Sequence, residues 1–241
     1  MLPVIFLLGS TSSGKGTLCA RLAAEFNLHH ISIGDTFREL SSVRWKPIPG
    51  MPDEINEFIV DKEAIPCSIL HRHFDPAPIP VALQVHNRRV WGNYSINLCG
   101  PLLREKAAEI TSKGGVLPHA IIIDGLHTAC YNLQNATFEQ MLQEFAPSYS
   151  GLTIRIECPH DVAKKRFLKR ARWGDGDGEK FEERMRKHKR FTAKLLDFLA
   201  LRGSVVTTVN DGTMTVEDAY QTLLTNLEGN PVWESIITRS T

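Results

Sequence analysis

Gly9-Ser10-Thr11-Ser12-Ser13-Gly14-Lys15-Gly16-Thr17 is the stretch whose reading decides the fold. Glycine, four residues, glycine and lysine make the phosphate-binding-loop pattern. The flanks supply the setting that this pattern needs. Residues 3–8 are a short apolar run, and residues 16–26 space Leu18, Leu22 and Ala23 at helical intervals. Strand, glycine-rich loop and helix therefore follow in order. The glycines let the backbone curl until successive N–H groups point inward, and the helix adds its positive N-terminal end. Such a loop holds a polyphosphate, with Gly9, Ser12, Ser13, Gly14, Lys15, Gly16 and Thr17 as the binding set and Lys15 reaching the β/γ-phosphates. In the usual pattern a hydroxyl residue directly after the lysine helps to hold Mg²⁺; here Gly16 takes that place and Thr17 follows. The loop predicts binding of a nucleoside triphosphate and leaves the use of its energy open.

Working outward, residues 120–123 before Asp124-Gly125, 152–156 before Glu157-Cys158-Pro159, and 204–209 before Asn210-Asp211 repeat the form of a buried strand ending at polar residues. Residues 29–33, before Gly34-Asp35, supply a fifth and weaker strand. Apolar strands alternating with amphipathic helices are the sequence form of a parallel sheet covered on both faces. The expected class is α/β, a P-loop fold with a five-stranded parallel sheet flanked by helices.

Composition bounds the rest. With 241 residues, 42% hydrophobic and 23% charged, the chain has the length of one large domain or of a core with an inserted lobe, at about 150 residues per domain. No apolar run approaches the roughly 18 residues of a membrane-spanning helix. The 28 basic and 27 acidic side chains nearly cancel, which argues against a domain that coats nucleic acid. Cys19, Cys67, Cys99, Cys130 and Cys158 are scattered singly without metal-ligand spacing, as expected of reduced thiols in a cytoplasmic protein. The apolar N-terminus resembles a secretory h-region but lacks a charged n-region and runs straight into the loop, so it reads as a buried strand.

Two stretches break the alternation. Residues 45–101 hold most of the prolines, including Pro47, Pro49, Pro52, Pro76, Pro78 and Pro80, and read as a lobe with irregular connections. Trp173-Gly174-Asp175-Gly176-Asp177-Gly178 lies inside basic helical sequence and reads as a mobile turn. His71, His73 and His86 lack a cysteine partner or fourth ligand for zinc. Trp45, Trp91 and Trp233 read as packing residues, whereas Trp173 fits either a base contact or the turn's own packing.

Gly14-Lys15-Gly16-Thr17-Leu18-Cys19 resembles the Gly-Lys-Gly-Thr-Gln-Cys of the nucleoside monophosphate kinases, the adenylate and UMP/CMP kinase family. Gly34-Asp35-Thr36-Phe37-Arg38 matches the family's Gly-Asp-x-x-Arg at similar spacing, and Ile121-Ile122-Ile123-Asp124-Gly125 is similar to its apolar strand before Asp-Gly-Phe-Pro-Arg. Arg170 resembles the first lid arginine, Arg172 is a loose counterpart of the second, and Arg184 resembles the last. The chain departs where Phe-Pro-Arg becomes Leu126-His127-Thr128, so the arginine that grips the monophosphate in relatives is missing; His127 is either a partial substitute or an ordinary loop histidine. Asn132-Leu133-Gln134 returns to the register of UMP/CMP kinase-like members. Ile33 replaces the threonine, serine or alanine that precedes Gly-Asp in the family, and the chain is tens of residues longer between Arg38 and Asp124.

The resemblance implies one P-loop kinase domain over residues 1–241, an enlarged acceptor-binding lobe over 39–118 and a short lid over 171–181. It implies Mg-dependent transfer from ATP to a nucleoside monophosphate by a monomer acting on small nucleotides, with neither nucleic acid nor membrane as partner. Lys15, Arg38, Arg170 and Arg184 would be catalytic, Arg170 and Arg172 would join the loop in holding ATP, and Thr17 and Asp124 would hold Mg²⁺, the latter through water. Transfer to another small acceptor and nucleotide binding with little transfer both remain open. A GTPase-like switch is disfavoured, because no Asn-Lys-x-Asp segment is visible.

Overall fold

A computed structural model describes residues 2–42, 47–48, 50–77, 79–80, 83–84, 86–87, 96–112, 116–125, 139, 142–143, 148–170 and 177–238, with the side chains of residues 37, 38, 40–42 and 96–102 excepted. All five expected strands are present: β1 (Val4–Gly9), β2 (His29–Ser32), β3 (Ile121–Asp124), β4 (Tyr149–Glu157) and β5 (Ser204–Val209). They form a parallel sheet in the order β2-β3-β1-β4-β5, which puts β1 at the centre.

Alternation along β1 sorts its side chains onto two cores. Ile5 and Leu7 face helices α1 (Lys15–Glu25), α8 (Val216–Leu227) and α9 (Pro231–Ile237), where Leu18, Leu22, Tyr220, Leu223 and Trp233 are buried. Phe6 and Leu8 face the other side, against Leu103 of α5 (Ile96–Ser112) and Phe191, Leu195 and Phe198 of α7 (Gly178–Ala200). Trp233 packs edge-on to Phe26 with ring centroids 5.0 Å apart, in keeping with its reading as a packing residue. Three of these helices, α7, α8 and α9, start where a side chain satisfies their free amides. Asp177 accepts from Glu179 and Lys180 at α7, Thr215 and Asp218 form a capping box at α8, and Asn230 caps α9 just before Pro231.

β2 ends one residue earlier than its apolar pattern suggests. Ile33 opens α2 (Ile33–Ser42), because the Ser32 hydroxyl accepts the Asp35 amide at 3.3 Å and the Ser32 carbonyl accepts the Thr36 hydroxyl at 3.0 Å. The proline-rich stretch is more ordered than expected, for it contains α3 (Asp53–Asp61) and α4 (Cys67–Phe74) around a small core of Ile55, Ile59, Ile65, Leu70 and Leu83. Pro52 and Pro66 stand at the N-caps of these helices, so they start helices rather than break them. Asn56 and Asn87 clip the connections by bonding the backbone of Ile48 and Ile65. Trp45, Arg88, Arg89, Trp91 and Cys130 lie outside the described residues, as do residues 171–176, which include most of the turn read at 173–178. No helix of the described residues is long and apolar enough to cross a membrane.

The β1–β4 register slips between Val4 and Phe6, and Gly151 absorbs the slip at φ +80°. This brings two backbones together, since a Cβ on Gly203 would stand 2.0 Å from the Gly151 carbonyl oxygen. Neither backbone can yield like a flexible side chain. Gly203→Ala is therefore expected to lower stability by about 1–3 kcal/mol, read as a lower urea midpoint with unchanged slope; an unchanged midpoint would contradict the close approach.

Candidate functional site

The strand ends align at the carboxyl edge of the sheet, where Leu7 of β1 pairs with Asp124 of β3, and Asp124 pairs with Ser32 of β2. Open α/β sheets bind ligands in the crevice outside this edge. A cleft of about 1200 Å³ opens there, lined by the loop, the start of α1, the ends of β2 and β3, and side chains of α6 (His160–Arg170), α7 and α8.

The loop is held in shape from behind. Gly14 adopts φ +94°, and a Cβ there would come within 2.5 Å of Asn210 Nδ2. That amide donates to the Ser13 carbonyl at 3.0 Å, while Asn210 Oδ1 accepts from Arg166 Nη2 at 3.0 Å. Asn210 is itself seated by its backbone N–H on the Glu157 carbonyl at 2.8 Å, so the ends of β4 and β5 support the loop together. On its inner side Lys15 is buried and donates to the Ser10 carbonyl at 2.8 Å. Gly9 lies beneath, where a Cβ would meet the Ile156 carbonyl oxygen at 2.5 Å.

Several buried polar atoms of the loop and its surroundings lack a hydrogen-bond partner among the described residues: the hydroxyls of Ser10, Ser12 and Ser13, and Oδ1 of Asp124. The N-cap of α1, Gly14, supplies no side-chain cap to the first amides of the helix. A buried polar atom left unpaired is costly, and hydroxyls beside uncapped amides suit the oxygens of a polyphosphate. The Asp124 oxygen faces the same cleft as Thr17 and suits a hydrated divalent cation.

Side chains of α6 and α7 complete the lining. Arg166 and Arg170 are one turn apart on α6, as are Arg184 and His188 on α7, so each pair shares a helix face. All four line the cleft. Fully buried Phe167 positions two of them, with Arg170 and Arg184 guanidinium carbons 5.1 and 5.3 Å from its ring centroid. Phe167 in turn packs on Phe181 at 5.4 Å, joining α6 to α7. Arg170 also reaches across to the Thr11 hydroxyl at 3.3 Å. Burial, reinforced by Lys15 and Arg155, pushes the His188 imidazole down to about 4, and burial likewise lowers His30.

Of the residues expected from sequence, Ser12, Ser13, Gly14, Lys15, Gly16, Thr17, Asp124, Arg170 and Arg184 line this one cleft. Arg38 falls on α2, but its side chain lies outside the described residues, as do Arg172, His127 and Thr128. Sequence reading missed Arg166, His188 and Asn210. The first two carry a signal in their i±4 spacing to Arg170 and Arg184, while Asn210 is marked only by its place after a strand. The exposed Met214 and Val216 add apolar surface to the lining.

The chain matches one family model and several known proteins. A family model described as an AAA domain matches residues 8–64, from the loop into the lobe. The chain is 25% identical over 231 residues to adenylate kinase isoenzyme 1 of Caenorhabditis elegans, covering 94% of this chain and 88% of that protein. It is 24% identical over 205 residues to the UMP-CMP kinase of Danio rerio, covering 84% and 86% respectively. It is also 24% identical over 232 residues to the adenylate kinase of Clostridium novyi (strain NT), covering 94% and 99%.

Asn210→Ala removes both the Ser13 tie and the Arg166 acceptor. The expected loss is about 1–3 kcal/mol of stability together with weaker nucleotide binding, measured by urea unfolding and by calorimetric titration. Unchanged values in both would show that the loop holds its shape without Asn210.

Proposed function

We propose that this chain, a divergent P-loop relative of the adenylate and UMP-CMP kinases, transfers the terminal phosphoryl group of ATP to a nucleoside monophosphate, giving the nucleoside diphosphate and ADP. One observation carries the reading: the loop with Lys15 lines a single cleft together with Arg166, Arg170 and Arg184. Two phosphate-bearing substrates brought together need such convergent positive charge.

Phosphoryl transfer asks mainly for positioning and charge stabilisation, because the transferred group passes through a loose transition state. In this reading the α1 amides and the Ser12 and Ser13 hydroxyls donate to the donor phosphates. Lys15 exchanges its hold on the Ser10 carbonyl for phosphate oxygens. Arg38 orients the acceptor phosphate, while Arg170, Arg184 and Arg172 bear on the charge spreading over the transferring group. Guanidinium forks match phosphate oxygens better than an ammonium does. The acceptor oxygen is already anionic, so it attacks the terminal phosphorus as the bridging bond to ADP breaks, and no general base is required. Mg²⁺, held by Thr17 and through water by Asp124, would neutralise phosphate charge when bound. Closure of a short lid over 171–181 excludes water, which would otherwise take the phosphoryl group.

The adenine of ATP rests against the apolar edge made by Met214 and Val216. The lobe over 39–118 supplies the acceptor pocket. Ile33, where the family carries threonine, serine or alanine, is fully buried in the core with Phe6 and Ile123 and does not itself line the cleft.

The direct test is diphosphate formation from ATP across AMP, CMP, UMP, GMP and the deoxynucleoside monophosphates. At least one acceptor is expected to give product, and Lys15→Ala to lower the rate by about 10²–10³-fold with the fold intact by circular dichroism. No diphosphate from any acceptor, or a fully active Lys15→Ala, would refute the reading. Faster ADP release with a non-nucleotide acceptor alone would move the acceptor to another class.

A further inference from the structure

Lys106 lines the cleft, and the proposed transfer gives it no part. It stands on α5 one turn after buried Leu103 and one turn before partly buried Ile110, both packed on the core of Phe6, Ile31, Ile33 and Ile123. That spacing places it on the sheet-facing side of the helix. A lysine is tolerated there only when its stem packs and its ammonium reaches a polar space. The side chain is 28% exposed, and the space it reaches is the cleft, shared with Ser32, Asp35, Glu39, Asp124 and Gly125.

The other lysine and arginine side chains of the described lining, Lys15, Arg166, Arg170 and Arg184, belong to α1, α6 and α7. Lys106 is the one such cation that residues 39–118 contribute among the described residues. The described charges that share the ends of α2, β2 and β3 with it are carboxylates: Asp35, Glu39 and Asp124. A monophosphate brought to that side is repelled unless a cation meets it. The described ion pair of Lys106 is with Glu109 at 3.3 Å on its own helix, and Glu109 does not line the cleft. Exposed pairs of this spacing contribute little, and an ammonium has three N–H donors. Lys106 can therefore reach a phosphate while sharing Glu109 or by leaving it.

We infer that Lys106 binds the phosphate of the acceptor, donating to its non-bridging oxygens, and that Glu109 competes for the same ammonium. A point charge on a flexible stem suits such an exchange. The inference rests on the reading of the cleft as a monophosphate kinase site and deepens it, naming a residue that makes a 5′-monophosphate rather than a nucleoside the acceptor.

The test uses the full chain as wild type, Lys106→Met, Glu109→Gln and the double variant. The substrate is the best acceptor among AMP, CMP, UMP and GMP, with its parent nucleoside as competitive inhibitor. Lys106→Met is expected to raise KM for the monophosphate by about ten- to a hundredfold, leaving KM for ATP and the inhibition constant of the nucleoside unchanged. Glu109→Gln is expected to lower KM for the monophosphate by about two- to threefold, a gain that disappears in the double variant. An unchanged monophosphate KM in Lys106→Met overturns the inference. Equal weakening of monophosphate and nucleoside assigns the lysine to the base and overturns it too, as does a parallel rise in KM for ATP, the mark of a structural role. If Lys106→Met does not fold, Glu109→Gln decides, since its side chain is half exposed and an unchanged KM there overturns the inference. A wild type that phosphorylates none of the four removes the kinase reading and the inference with it.

Discussion

A backbone that turns its amides inward must be held from outside, and here a single buried side chain makes much of that support. Asn210 donates to the Ser13 carbonyl and accepts from Arg166, while its own backbone is seated on β4. The loop is thereby coupled to β5, to β4 and to the helix that carries two cleft arginines. Gly14 cannot bear a side chain, because the Asn210 amide occupies the place where a Cβ would stand. The shape of the loop is thus a long-range property of the sheet as much as a local property of its glycines.

The near-zero net charge conceals a strong local field. Lys15, Arg166, Arg170 and Arg184 converge on one cleft that also holds Asp35, Glu39 and Asp124, while other charges meet in exposed pairs such as Arg72 with Glu54 and Lys164 with Glu182. Surface pairs of that kind contribute little to stability. The cleft cations matter because they are partly desolvated and held in place: Phe167 fixes two guanidinium groups, and the Ser10 carbonyl parks the lysine. A site prepared in this way needs little rearrangement to receive phosphate.

Much of the fold was legible because its signals are local. The loop, the five apolar strands and their polar ends each lie within a short stretch, and the structure pairs those strands in one parallel sheet. Arg170 and Arg184 were found through local motifs too. Asn210 was not, since its partner Ser13 is 197 positions away in the chain and no periodicity links them. His188 was hidden in a run of charges that reads equally well as a solvated face. The lobe misled for another reason: Pro52 looks like a break, yet a proline is compatible with the start of a helix, and α3 follows it.

The central claim is that one cleft receives the phosphates of both substrates. A crystal structure with a bisubstrate inhibitor, two nucleosides joined by a phosphate chain, tests it most directly. The account predicts that the chain lies across the α1 amides with oxygens within about 3 Å of Lys15, Arg170 and Arg184. A phosphate chain bound elsewhere, with the loop and these cations untouched, would contradict it.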